Sequence, residues 1–151
     1  MTNESTSIIV RELLARSHSR VKVVLERRFP GGRLVGGKYH MKNHTVTLYT
    51  ESIAEQCQQL FGSHEFLAAC VAIIFAHELG HAEDTELQDL SDRMDVCSGR
   101  ERSLIALRIE ENAWTYAERL LPDIDRERFS LIVERSLHPY RLNASSSEIA
   151  S

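Results

Sequence analysis

His77-Glu78-Leu79-Gly80-His81 is the stretch of this chain whose residue types and spacing suit chemistry. At about 100° per helical residue, His77 and His81 stand about 40° apart in azimuth and one turn apart along the axis, so both imidazoles can reach a single tetrahedral ion. Glu78 lies about 60° round from His81, beside such an ion, where a base must stand to take a proton from metal-bound water. The preceding segment, 67–76, is apolar throughout, which encloses the motif helix on most sides. Left unpaired there, each of the three polar side chains would cost roughly 1–3 kcal/mol. One Zn2+ ion satisfies both histidines together.

A catalytic zinc takes three protein ligands and a water. The third ligand is expected on a helix over about 101–121, where Glu110 shares its stripe with Ala106, Leu107, Ala113, Trp114, Ala117 and Leu121. A carboxylate on such an apolar face is expensive without a partner. Glu111, about 100° away and near Arg108, Thr115 and Glu118, is the alternative ligand on a face that reads as solvated. Ala113 and Ala117 beside Glu110 predict a close approach between the two helices. Asp84 falls within about 20° of His77 in azimuth and could orient an imidazole or replace Glu110, although a surface acid at a helix end is the plainer reading. His40 and His44 bracket a turn and read as solvent-exposed, and Cys70 reads as a small core residue.

The elements that must position these residues follow from periodicity and punctuation. Ser7 is placed to cap a first helix to about residue 17, and Val21, Val23 and Leu25 alternate as in a strand. Pro30-Gly31-Gly32 and Gly36-Gly37 mark turns, and Lys42-Asn43-His44 forms the tip of a hairpin between 37–41 and 45–50. Thr45-Val46-Thr47-Leu48-Tyr49 carries the strongest strand signal of the chain. A helix over 52–60 breaks at Phe61-Gly62, and Ser63 precedes the motif helix, 64–83. An acidic connector, 84–99, has room for a short helix. The 101–121 helix stops at Pro122, and a last helix over 125–137 ends before Pro139. Residues 1–6 and 144–151 read as disordered tails around a single domain, 7–143.

With 42% hydrophobic and 26% charged residues in 151, the composition is that of one globular domain. Lysine and arginine number 18 against 22 acids, a net charge of −4, so direct nucleic-acid binding is not expected. The apolar run is half the roughly 20 residues that a bilayer span needs, and the acidic, polar N-terminus does not resemble a signal peptide. Cys57, Cys70 and Cys97 form no closely spaced pair, which suits a reducing, cytoplasmic setting.

With H-E-L-G-H at 77–81 and E-x-x-A at 110–113, separated by 28 residues (82–109), the chain resembles the gluzincin-type zincin metallopeptidases. Within them it is most similar to the ImmA/IrrE-like bacterial and phage cytoplasmic peptidases. Their second motif runs roughly E-x-x-A-[ND]-x-F-A-x-x-L-L-x-P, against Glu110, Ala113, Trp114, Tyr116, Ala117, Leu120, Leu121 and Pro122 here. The chain departs at Trp114, where the family tends to have Asn or Asp, and its proline comes one residue early.

The resemblance covers about 37–121 and implies a helix-rich, zincin-like α+β fold. In it a small antiparallel sheet covers the motif helix and a second helix supplies a metal ligand. It further implies a zinc peptidase with His77, His81 and Glu110 on one Zn2+ and Glu78 as the proton carrier. The substrate would be a narrow protein substrate such as a repressor or antitoxin, and a partner regulator is possible. The edge strand that binds peptide in zincins is expected at 45–50, with an ordinary sheet strand the equal alternative. Tyr116, His138 and Tyr140 are candidates by type to stabilise the oxyanion, each equally readable as a packing or surface residue. The competing function is a zinc-stabilised interaction module, an anti-repressor or phage accessory protein, without proteolysis.

Overall fold

Thr2 starts the first helix, five residues ahead of Ser7. Its Oγ1 accepts a hydrogen bond from the Ser5 amide at 3.1 Å, and helix α1 spans Asn3–Ser17. Thr6, Val10 and Leu13, spaced as one helical stripe, are all buried. Burial of Thr6 therefore extends the helix into residues expected to fray. The computed structural model describes residues 2–150, with side chains through residue 146. Met1 and Ser151, the outermost residues of the two expected tails, lie outside the described residues.

Strands β1 (Lys22–Glu26), β2 (Gly37–His40) and β3 (Thr45–Tyr49) form a sheet in the order β1-β3-β2. The hairpin is as expected, with Gly37 opposite Leu48 and His40 opposite Thr45. The sheet as a whole is mixed, not antiparallel, because β1 pairs parallel to β3, Lys22 opposite Thr45 and Glu26 opposite Tyr49. The chain path explains this. Connector 27–36 leaves the end of β1 and enters β2 at that same end, so β2 runs back and β3 forward again beside β1. All five β3 residues are buried, which is what a strand paired on both edges and covered on both faces requires.

Helix α2 (Thr50–Phe61) ends at Gly62, whose φ of 68° is the left-handed C-terminal turn that glycine adopts without strain. Ser63 Oγ accepts from the Glu65 amide, and the turn this closes delays helix α3 to Leu67–Ala82. Buried residues occur all round α3, from Cys70 to Gly80, and it packs against α1, α2, β2, β3 and α5. Phe75, Ile73 and Leu79 are fully enclosed there. The connector does contain a helix, α4 (Leu87–Val96), and helix α5 covers Gly99–Leu120.

The last helix, α6 (Arg126–Ala150), passes through Pro139 instead of ending before it. Proline removes one backbone hydrogen bond. The helix packs on α5, and it is buried on both sides of that defect, at Phe129 and Leu137 before the proline and at Ala144 after it. Among the described residues, no helix is long and apolar enough to cross a membrane.

Candidate metal centre

Helix α3 presents His77, Glu78 and His81 at its C-terminal end, and their ligand atoms lie within 4.8 Å of one another. Helix α5 brings Glu110 against them. Its Oε1 is 3.0 Å from His77 Nε2 and its Oε2 is 3.1 Å from His81 Nε2. Glu78 meets the same cluster from another side, with Oε2 2.9 Å from His77 Nδ1. The two carboxylates are thus distinguished by geometry. Glu110 spans both Nε2 atoms, whereas Glu78 touches only the far nitrogen of one ring. All four side chains are at least 87% buried, with exposures of 7–13%.

Close backbone approach makes this possible. A Cβ on Gly80 would lie 2.4 Å from the Ala113 carbonyl oxygen and 2.8 Å from its Cα. Only glycine allows α3 and α5 to touch there, three residues beyond Glu110 on the helix that supplies it. Gly37 does the same for the sheet, since a Cβ there would come 2.9 Å from Glu78 Cγ. Sequence reading treats Gly36-Gly37 as turn punctuation. Their role is contact, with Gly37 in β2 lying directly over the motif helix.

Charge and burial set the protonation of the cluster. Burial is the largest single influence on His77 and lowers its pKa, but Glu78 and Glu110 together reverse it and hold the imidazole up at about 9. Burial likewise pushes Glu110 up, and hydrogen bonds from His77 and His81 override it, drawing the carboxyl down to about 2. Two imidazoles and an ionised carboxylate at these distances are a donor set that could hold a divalent, zinc-type ion. Tetrahedral bonds of about 2.0–2.1 Å separate ligand atoms by about 3.3 Å. The 3.0 and 3.1 Å contacts of Glu110 need to open by only a few tenths of an ångström to admit an ion.

Trp114 was unassigned by sequence reasoning beyond its place on the stripe. Its indole stacks on the His77 ring, centroids 4.2 Å apart and planes 23° apart, and its Nε1 donates to Ser136 Oγ on α6 at 3.2 Å. The spacing Glu110-x-x-x-Trp114 puts the ring on the same stripe one turn on, and that was the available signal.

Other candidates fall elsewhere. Glu111 is exposed on the outer face of α5. Asp84 accepts from Asn112 Nδ2 at 3.3 Å, tying the start of the connector to α5. His44 Nδ1 pairs with the Tyr39 hydroxyl and His40 Nε2 with Thr47 Oγ1, so both serve the hairpin. Burial, then Glu83, raises the Tyr116 phenol, and Tyr116 does not line the site. His138 is exposed and does not line the site. Tyr140 does line it, and burial, then Glu110 and Glu78, push its phenol pKa up.

The cluster opens into a cleft of about 990 Å³. Segment 33–39 forms one wall and α6 the other, with Ile74, His77 and Glu78 on the floor. The strand expected to edge this cleft, 45–50, does not. β3 is central and paired on both sides. The cleft-side edge is β2, because Gly37, Lys38 and Tyr39 line the wall.

Comparisons with protein-family models, with curated proteins and with solved structures find no match for this chain.

Proposed function

We propose that the chain is a zinc metallopeptidase of the gluzincin type, similar to the ImmA/IrrE-like peptidases, acting on a narrow intracellular protein substrate. The observation that carries this reading is the placement of Glu110, whose two oxygens reach the Nε2 atoms of both motif histidines while Glu78 stands to one side. His77, His81 and Glu110 would hold the ion. Bound there, zinc supplies a Lewis acid that polarises the scissile carbonyl and acidifies water.

The remaining work falls to the chain itself. Glu78, on the cleft floor, takes the proton of the attacking water on its carboxylate and returns it to the leaving nitrogen. A site with purely structural metal has no use for a carboxylate in that position, which favours peptidase over interaction module. β2 offers its unpaired edge to an extended peptide, which would add to the sheet through main-chain hydrogen bonds beside Glu78. Tyr140, facing the cleft from α6, is the candidate donor to the developing oxyanion. Trp114 fixes the ring plane of His77.

The decisive variant is Glu78→Gln. It should keep zinc and fold and reduce cleavage of a sensitive substrate by at least about a hundredfold, the usual scale for loss of a positioned base. Cleavage at the wild-type rate would refute the peptidase reading and favour the non-proteolytic one.

A further inference from the structure

Three cations from different segments line the cleft: Arg33 in the connector before β2, Lys38 on β2 itself, and Arg135 on α6. All three are exposed, and none forms an ion pair among the described residues. Lys38 instead sits 5.9 Å over the Phe29 ring. Cations elsewhere divide into those tied to carboxylates, as Arg27 and Arg28 are to Glu51, Arg108 to Glu86, Arg128 to Asp125 and Arg141 to Glu134, and those such as Arg20, Lys22 and Arg119 that lack an ion pair among the described residues, so what distinguishes Arg33, Lys38 and Arg135 is their place around one cleft.

Acids are the more numerous charge in this chain, with a net charge of −4. Yet among the described residues the only carboxylates lining the cleft are Glu78 and Glu110, and both are engaged with the histidines. The walls are therefore cationic inside an acidic protein, and a cleft focuses such a field on whatever enters it. A free strand edge runs along one of these walls. Main-chain addition there accepts any sequence, so side-chain preference has to come from flanking groups.

We propose that the segment received by this cleft is an acidic peptide, carrying Asp or Glu on both sides of the bond held over Glu78 and pairing with Arg33, Lys38 and Arg135. The bond-cleaving part of this rests on the peptidase reading; the charge preference does not. A peptide is favoured over a nucleic acid because the cleft pairs its cations with an open strand edge.

The test uses fluorescein-labelled decapeptides of one sequence with Glu, Gln or Lys at the flanking positions, bound to zinc-loaded Glu78→Gln protein and followed by anisotropy. The Glu peptide should bind on the order of tenfold more tightly than the Gln peptide, and the Lys peptide more weakly than either. The advantage should shrink as salt is raised. Combined Arg33→Gln, Lys38→Gln and Arg135→Gln should abolish it, whereas Arg119→Gln, on an exposed position away from the cleft, should not. Equal binding of the three peptides, no binding at all, or displacement by a single-stranded oligonucleotide more tightly than by the Glu peptide would overturn the proposal. Digestion of a peptide library by wild-type protein separates the two readings. A Glu preference in binding without any cleavage sinks the peptidase and leaves the charge inference, while cleavage without acidic flanks does the reverse.

Discussion

Gly80→Ala tests how the centre is assembled. Elsewhere in a helix, alanine for glycine adds about 0.5–1 kcal/mol of stability. Here the added methyl would stand 2.4, 2.8 and 3.0 Å from the O, Cα and C atoms of Ala113, all of them backbone, against ordinary contact from 3.4 Å. No side-chain rotation can relieve an overlap with backbone, so α3 and α5 must separate by up to about 1 Å. Overpacking of this kind costs roughly 1–3 kcal/mol, enough to outweigh the helix-propensity gain. For a chain of this size that lowers Tm by roughly 3–10 °C.

A displacement of up to about 1 Å carries Glu110 away from His77 and His81 by more than the few tenths of an ångström that its 3.0 and 3.1 Å contacts must open to admit an ion. Zinc affinity should fall at least about tenfold. Thermal melting in chelator and competition against a chromophoric zinc chelator read the two effects separately. Adding Ala113→Gly should not rescue either one, since the Ala113 side chain is not among the colliding atoms. A Gly80→Ala protein that melts at or above the wild-type temperature and binds zinc equally well would refute the packing argument.

Four further outcomes follow from the same geometry. Glu110→Gln should lose zinc after purification without chelators, while Glu111→Gln keeps it, as metal analysis will show; the opposite pattern would move the third ligand to Glu111. The metal-free protein should show a cluster-dependent stability that is greatest between about pH 4.5 and 6.5. His77, raised from 6.5 to about 9, contributes on the order of 3 kcal/mol below its unfolded value, and this is lost as pH climbs through 9. Glu110, lowered from 4.5 to about 2, contributes above its unfolded value and is lost as pH falls toward 2. Zinc must displace the His77 proton, so its affinity should rise about tenfold per unit between pH 6 and 8; chelator competition giving a flat profile would contradict the assignment. Trp114 is the only tryptophan, so zinc binding at the ring it stacks on should change its emission, and an unchanged spectrum on stoichiometric loading would place the metal elsewhere.

The histidine–glutamate cluster is legible because its information is local. Four residues of helix bring His77 and His81 to one face whatever the tertiary structure, and an acid at 110 on an apolar stripe calls for a partner that the fold indeed provides. The sheet was legible as segments but not as pairing. Alternation marks β1 as a strand and β-branched and aromatic content marks β3, while their parallel pairing depends on which end of the sheet connector 27–36 crosses. The misplaced edge has a more instructive cause. The zincin resemblance puts the peptide-binding edge at 45–50, with an ordinary sheet strand the equal alternative, and the structure bears out that alternative. A continuous run of β-branched and apolar residues without a polar face is the mark of a strand buried on both faces, and β3 is fully buried at every residue. The edge is the weakly strand-like Gly-Lys-Tyr-His of β2, whose glycine is needed against Glu78.

The second wall of the cleft depends on a rule that fails in this chain. Pro139 marks a helix end by local steric reasoning, and a helix ended there would leave Tyr140 and Asn143 outside regular structure. In the fold the helix continues, and Ser136, Pro139, Tyr140 and Asn143 line the cleft across the proline. Proline cannot supply the amide that would close the turn onto Arg135. What compensates is non-local: Leu137 and Ala144 buried on either side of the break, and Ser136 receiving the indole N–H of Trp114. That last bond joins the wall to the ring stacked on His77. A change that unseats α6 would therefore disturb the plane of His77 as well as the cleft, although among the described residues none of α6 touches the histidine cluster through a hydrogen bond of its own.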